Sequence, residues 1–202
     1  MLSIDPATNT ERENYKLLIG SIIPRPIAFV TTSSSDGIIN GAPFSYFSIV
    51  SSNPPMISIA IQRKEGIQKD TARNINELKE FVIHIVDEQI VEKVNATAAN
   101  LPPEQSEIEL VNFTQISSTK ISVPGINEAK IRMECTLEKS LELGGSDEPG
   151  CDLIIGRVVQ FHVENDIYEN GRINPSGLAA VSRLAGQDYA QIGEIFSLKR
   201  PK

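Results

Sequence analysis

The stretch MISIAIQ, residues 56 to 62, alternates strictly: Ile57, Ile59 and Ile61 share one face, and Met56, Ser58, Ala60 and Gln62 share the other. A period of two predicts a β-strand with one face in a core. The opposite face is small and polar, which suits a sheet against whose backbone something flat must lie. The same period returns in IRMECTLE, residues 131 to 138, with Ile131, Met133, Cys135 and Leu137 opposed to Arg132, Glu134, Thr136 and Glu138. Residues 151–164 form another strand-like run, and Gly156 within it marks a bulge or a close approach.

Outward from these strands the chain carries further short β signals. Residues 27–32 and 38–43 pair most simply as a hairpin across SSSDG, with Gly37 supplying the positive φ. Runs at 46–50 and 81–86 add two more strands. Residues 1–20 are polar and helix-permissive, and Pro24 and Pro26 end any helix there. A helix is predicted from Asp70 or Thr71, with Ala72, Ile75, Leu78 and Val82 at roughly helical spacing. A second is predicted from a cap at Asp87 to about Ala99, with Ile90, Val91, Val94 and Ala98 as its stripe, stopping at NLPPEQS. GGSDEPG (144 to 150) and Asn170-Gly171 are turn signals. Six or seven strands, two or three helices and no regular βαβ alternation predict a mainly β fold with helical insertions, an antiparallel barrel or sandwich.

Composition bounds the function. The 202 residues are 40% hydrophobic and 22% charged, enough for a single domain over 1–202 that needs neither disulfides nor a structural metal. A net charge of -7 speaks against nucleic acid or an anionic membrane as partner. Two cysteines and no long apolar run predict a cytoplasmic chain. There is no G-x-G-x-x-G, no P-loop and no G-x-S-x-G elbow, and the two histidines lie in apolar strands, so no catalytic side chain or metal ligand set emerges.

Three segments can carry chemistry. Residues 61–73 hold Arg63, Lys64, Lys69 and Arg73 against Glu65 and Asp70, a net +2 at a helix start in an acidic chain. Free N–H groups, the Thr71 hydroxyl and Lys69 there can hold a phosphate, or Asp70 or Thr71 merely caps an ordinary helix. DGIINGAPFSYF, residues 36 to 47, offers accessible backbone at Gly41, Ala42 and Ser45 beside Phe44, Tyr46 and Phe47; a planar ring can lie there, or the small residues make a tight barrel corner. GLAAVSRLAGQDYA, residues 177 to 190, places Arg183, Gly186 and Tyr189 in a short loop or broken helix, which by itself says little.

PRPIAFVTT (24 to 32), DGIINGAPFSYFSIVSSNPPMISIAI (36 to 61), KDTARNI (69 to 75) and SRLAGQDY (182 to 189) together resemble the flavin reductase-like family of FMN-binding split-barrel proteins. The resemblance spans residues 15 to 190. It implies a Greek-key split β-barrel, a homodimer, and FMN near the subunit interface. By that similarity Asn40, Ala42 and Ser45 contact the flavin ring, Ser58 lies on the adjoining strand, and Thr31 and Thr32 lie close by. Lys69, Asp70 and Thr71 hold the phosphate. Arg183 and Tyr189 match the family's Arg-Leu-Gly-Gly-x-x-Tyr pattern, with Ala185 in place of its first glycine. The implied activity moves hydride from NADH or NADPH through FMN to a flavin or another acceptor, and the alternative is a flavoredoxin-like electron carrier. A flavin does this chemistry itself, which accounts for the absence of a catalytic triad.

Overall fold

The structure, a computed structural model, describes residues 1–99, 101–102, 104–145 and 148–201. Seven strands build the main sheet: β1 (Ala28–Ser33), β2 (Ile39–Phe44), β3 (Phe47–Ser52), β4 (Pro55–Gln62), β5 (Glu80–Ile85), β6 (Ile131–Leu143) and β7 (Cys151–Val163). They lie in the order β2-β1-β5-β6-β7-β4-β3, and every neighbouring pair is antiparallel. The consecutive strands β4 and β5 are separated by β6 and β7, a Greek-key connection.

Connectivity forces the sheet to close on itself. The edge strands β2 and β3 are consecutive in the chain, with only Ser45 and Tyr46 between them, a step of at most about 11 Å. The two edges therefore meet at this corner, where Tyr46 O accepts from Ala60 N of β4 (2.9 Å). Elsewhere the edges stay apart. The result is the split antiparallel barrel that the strand count predicts.

The alternating residues fill it. Ile57, Ile59 and Ile61 point inward with Phe81, Ile83, Cys135 and Ile154, and each fully buried aliphatic side chain contributes about 2 kcal/mol of transfer free energy. Helix α2 (Asp70–Leu78) plugs one end with Ala72 and Ile75. Strand β1 is buried on both faces, because Phe29 on its outer side enters a second core with Ile90, Val94 and Ile108 beneath α3 (Val91–Ala96) and α4 (Glu107–Leu110). An N-terminal helix, α1 (Glu11–Ser21), begins in a capping box formed by Thr10 and Glu13.

Several turn and packing signals hold. Gly37 has φ +83°, and Asn170 and Gly171 (+50° and +79°) turn a short hairpin. The β6–β7 register shifts at Gly156, where a Cβ would strike the Phe81 ring, so both the bulge and the close approach are present. Gly144 and Gly145 have positive φ, while Ser146 and Asp147 of that turn, like Asn100 and Pro103 of NLPPEQS, lie outside the described residues.

Other expectations need correcting. The helix predicted over 87–99 is only Val91–Ala96, since Asp87 Oδ1 accepts from Gln89 N and Ile90 N and holds a turn ahead of it; Ala98 is exposed and Thr97 is buried in its place. Val82 is not on the preceding helix, which stops at Lys79 in the left-handed region (φ +63°). Residues 177–190 are not a broken helix: Val181–Arg183 and Tyr189–Gln191 form a hairpin that pairs with Arg25–Pro26. Glu134, on the polar face of β6, is buried. No helix among the described residues is long and apolar enough to cross a membrane.

Candidate functional site

A cleft of about 360 Å³ opens beside the corner that closes the barrel. Its size lies within the usual range for small-molecule sites. Ala60 and Gln62, from the small polar face of β4, line its floor, and Pro43, Phe44, Ser45 and Tyr46 line the corner. The 181–191 hairpin supplies Arg183, Leu184, Gly186 and Tyr189, α1 supplies Tyr15 and Ile19, and Lys69 stands at the start of α2.

Arg25 holds these pieces together. Its Nη1 donates to the carbonyls of Ile19 and Ile22 (2.7 and 2.6 Å), its Nη2 to Leu184 O (2.8 Å) and its Nε to Ser45 Oγ (3.4 Å). The guanidinium thereby satisfies carbonyls left free at the end of α1 and ties helix, hairpin and barrel corner to one point. The sequence reading passed over it. The available signal was a single arginine set between two prolines, in a segment too stiff to let it wander.

Of the residues expected in the site, Ser45, Lys69, Arg183 and Tyr189 line the cleft. Arg183 stacks on the Tyr189 ring (4.4 Å to the centroid) and donates to Gly186 O, and Tyr189 OH donates to Asn95 Oδ1 (2.8 Å). Ala185 costs this hairpin nothing, because the positive φ of its turn (+61°) falls on Gly186. The Lys69 ammonium lies 6.0 Å from the centre of the Phe44 ring, and partial burial against the pocket wall pulls its pKa below the ordinary lysine value. No side chain caps α2, and its first N–H with a backbone acceptor is that of Arg73, to Lys69 O (3.1 Å). Among the described residues the N–H groups of Asp70, Thr71 and Ala72 have no backbone acceptor, and of these three residues Thr71 and Ala72 are buried.

The other expected residues do not line the cleft. Thr71 Oγ1 donates to Asn40 Oδ1 (2.9 Å), Thr32 Oγ1 reaches the same oxygen (3.3 Å), and Asn40 Nδ2 donates to Glu107 Oε2 (2.9 Å). This network joins α2 to β1, β2 and α4, and it commits the Thr71 hydroxyl to Asn40. Ala42 packs against the barrel core. Ser58 pairs with Ser48 and Ile155, on the same face of β4 as Ala60. Thr31 is buried on the far side of β1 and donates to Pro124 O (2.7 Å). Asp70 pairs with Arg73 (2.6 Å).

The net +2 of residues 61–73 is redistributed by the fold. Arg63 turns away to Asp152 and Glu142, both at 2.6 Å, and Arg73 is neutralised by Asp70. Lys69 is the cation that faces the cleft from this segment. His84 is fully buried, with Nδ1 against Phe29 O (2.9 Å) and Nε2 accepting from Ile126 N (3.0 Å); burial drives its pKa down to about 3, so it is a neutral structural residue. Burial also raises the Cys135 thiol pKa far above neutrality, which makes it inert. Among the described residues no group of His, Cys, Asp or Glu is placed to hold a metal ion.

Residues 19–179 match the family model described as "Flavin reductase like domain". An uncharacterized protein of Bacillus subtilis, YwrF, is 50% identical over 193 residues, covering 94% of each chain. Among solved structures, nitrilotriacetate monooxygenase component B from Bacillus cereus superposes with a TM-score of 0.97 at 60% identity, covering 98% of both chains. The 2-nitrobenzoate 2-nitroreductase of Pseudomonas fluorescens superposes with a TM-score of 0.89 at 31% identity, covering 99% of this chain and 96% of that one. With the barrel and its cleft described, the family match over most of its length establishes that the chain belongs to the flavin reductase-like domain family.

Proposed function

We propose that the chain is an FMN-dependent oxidoreductase that takes hydride from NADH or NADPH and passes electrons to a flavin or another small acceptor. The observation that carries this reading is the cleft itself: a floor at Ala60 and Gln62 beside Tyr46 and Phe44, ending at Lys69, the residue that opens α2. A planar ring joined by a short polar chain to a phosphate fits that order of surfaces. Lys69 and the first turn of α2 would hold the phosphate, where a cation about 4 Å from a unit negative charge gains roughly 4 kcal/mol of gross Coulomb energy at an effective dielectric near 20. Backbone at the Ser45 corner and the floor of β4 would orient the ring. The flavin supplies the hydride-accepting centre. The protein positions it, keeps the far face open to a nicotinamide and sheds water from the apolar wall. The relatives named as a monooxygenase component and a nitroreductase support redox chemistry of this kind. Two copies of the chain assemble around the cleft.

The test is spectroscopic. The purified protein, mixed with FMN and separated from unbound flavin, is expected to keep a flavin visible spectrum, and anaerobic NADH or NADPH is expected to bleach it rapidly. A protein that takes up no FMN refutes the reading. One that binds FMN but leaves it oxidised is an electron carrier served by another reductase.

A further inference from the structure

We infer that residues 192–201 form an arm that grips a second copy of the chain along the exposed strand β3 and the C-terminal turn of α1. It rests on the two-copy assembly proposed above and not on the flavin. Residues 192–201 have no secondary structure, yet they carry Ile192, Ile195, Phe196 and Leu198, the last two 77% and 83% exposed. The arm does not fold back on its own body. On that body lies an apolar surface equally uncovered: Ile49, 81% exposed, and Val50 on β3, with Leu18, Ile22 and Ile23 at the end of α1. Strand Arg25–Pro26, which follows α1, lies against β3 and joins the two parts of this patch.

Strand β3 is also an edge without the usual protection. FSIVSS has no charge and no proline, and its outer backbone groups face no partner strand. The arm leaves from Tyr189–Gln191, the outermost strand of the small sheet Arg25–Pro26, Val181–Arg183, Tyr189–Gln191, on the side away from β3. Each chain therefore presents an apolar donor and an apolar acceptor that do not meet within it. Reciprocal exchange about a two-fold axis buries both pairs at once. Ten residues reach about 33 Å when extended, enough to cross onto a neighbour.

Charge favours the same occupant. Residues 192–201 hold Lys199 and Arg200 against Glu194, a net +1, which leaves -8 on the rest of the chain. A basic arm docks on an acidic second copy better than two acidic bodies dock without it. The Bacillus cereus structure leaves only 2% of this chain uncovered, fewer residues than the arm contains, so at least part of the arm keeps a matching course there.

The test uses the full chain and no flavin. With Cys151→Ser as background, Ile49→Cys and Phe196→Cys are combined and the protein is mildly oxidised. An interchain disulfide, seen as a dimer on a non-reducing gel, is the expected result; an intrachain disulfide, or none, overturns the proposal. Sedimentation supplies the second measurement, on a chain ending at Gln191 and on the triple variant Ile195→Ser, Phe196→Ser, Leu198→Ser. Both are expected to weaken dimerisation at least tenfold. A dimer unchanged by either variant overturns the arm and leaves the two-copy reading standing, whereas a wild-type chain that stays monomeric at all concentrations overturns both.

Discussion

Glu107, on α4 beside β2, and Glu134, on β6, are both buried carboxylates on opposite sides of β1 and β5, and their pKa values move in opposite directions. At Glu107, burial raises the pKa; hydrogen bonds from its own backbone N–H, Gly41 N and Asn40 Nδ2 do not offset that, and Asp70 adds repulsion. At Glu134, burial is again the largest single effect, but Thr119 N, Thr119 Oγ1, Lys120 N and His162 Nε2 together outweigh it and lower the pKa. The balance of burial against hydrogen bonding decides the sign. Glu134 fastens the 119–120 loop to the sheet far from the cleft. Glu107 stands behind the start of α2, where it fixes Asn40 and through it Thr71.

The largest effect is expected at Glu134. Glu134→Ala strips a buried partner from four donors and should cost about 3 kcal/mol in denaturant-induced unfolding. It should leave FMN affinity unchanged. Because the folded pKa of Glu134 is depressed, its contribution is present above the unfolded value and is lost as pH falls through the folded one. Acid titration of stability below about pH 4.3 should therefore be steeper in the wild type than in Glu134→Gln. Equal slopes would dissociate the hydrogen bonds from the pKa.

Glu107→Ala comes next, at about 2 kcal/mol, since it orphans two donors instead of four. Unlike the change at Glu134, it should also weaken FMN binding, because Asn40 and Thr71 lose their anchor. Calorimetric titration with FMN checks this; an unchanged affinity would place Glu107 outside the site altogether. Lys69→Ala reverses the pattern. It should reduce FMN affinity roughly tenfold, about 1.4 kcal/mol, with thermal stability nearly untouched, since the side chain does not cap α2.

These contrasts also mark what the sequence could and could not disclose. The inward face of β4, the bulge at Gly156 and the turns at Gly37 and Asn170-Gly171 were legible, because each depends on residues within a few positions of one another. So was the meeting of Ser45, Lys69, Arg183 and Tyr189, through resemblance in four separate segments. Arg63 counts toward the local +2 in the sequence, but its turn away from the cleft was not legible, since its partners Glu142 and Asp152 are 79 and 89 residues away. Glu134 looked solvated for the same reason: the loop that buries it carries no local pattern. Arg25 and Glu107 act only through atoms brought together by the closed barrel, and no periodicity encodes that.

The smallest effect is expected from Glu107→Gln, and it separates charge from shape at the cleft. A raised carboxyl pKa means that the fold prefers the protonated form, so the associated stability is fully present below the unfolded pKa and is lost as pH rises through the folded value. The ionised carboxylate is thus the form that burial disfavours. Glutamine keeps an oxygen for Asn40 Nδ2 and Gly41 N without the buried charge, and it removes the repulsion with Asp70. Its new amide must find an acceptor, a cost that works against the gain. The variant should therefore lie within about 0.5 kcal/mol of the wild type at pH 7 and compare less favourably as pH falls, when the wild-type carboxyl becomes neutral too. Chemical denaturation of both proteins from pH 4 to pH 8 reads the difference directly. A variant that instead loses ground steadily toward alkaline pH would mean that the ionised carboxylate is the form the barrel wall was built to hold, and Glu107 would then belong with Glu134.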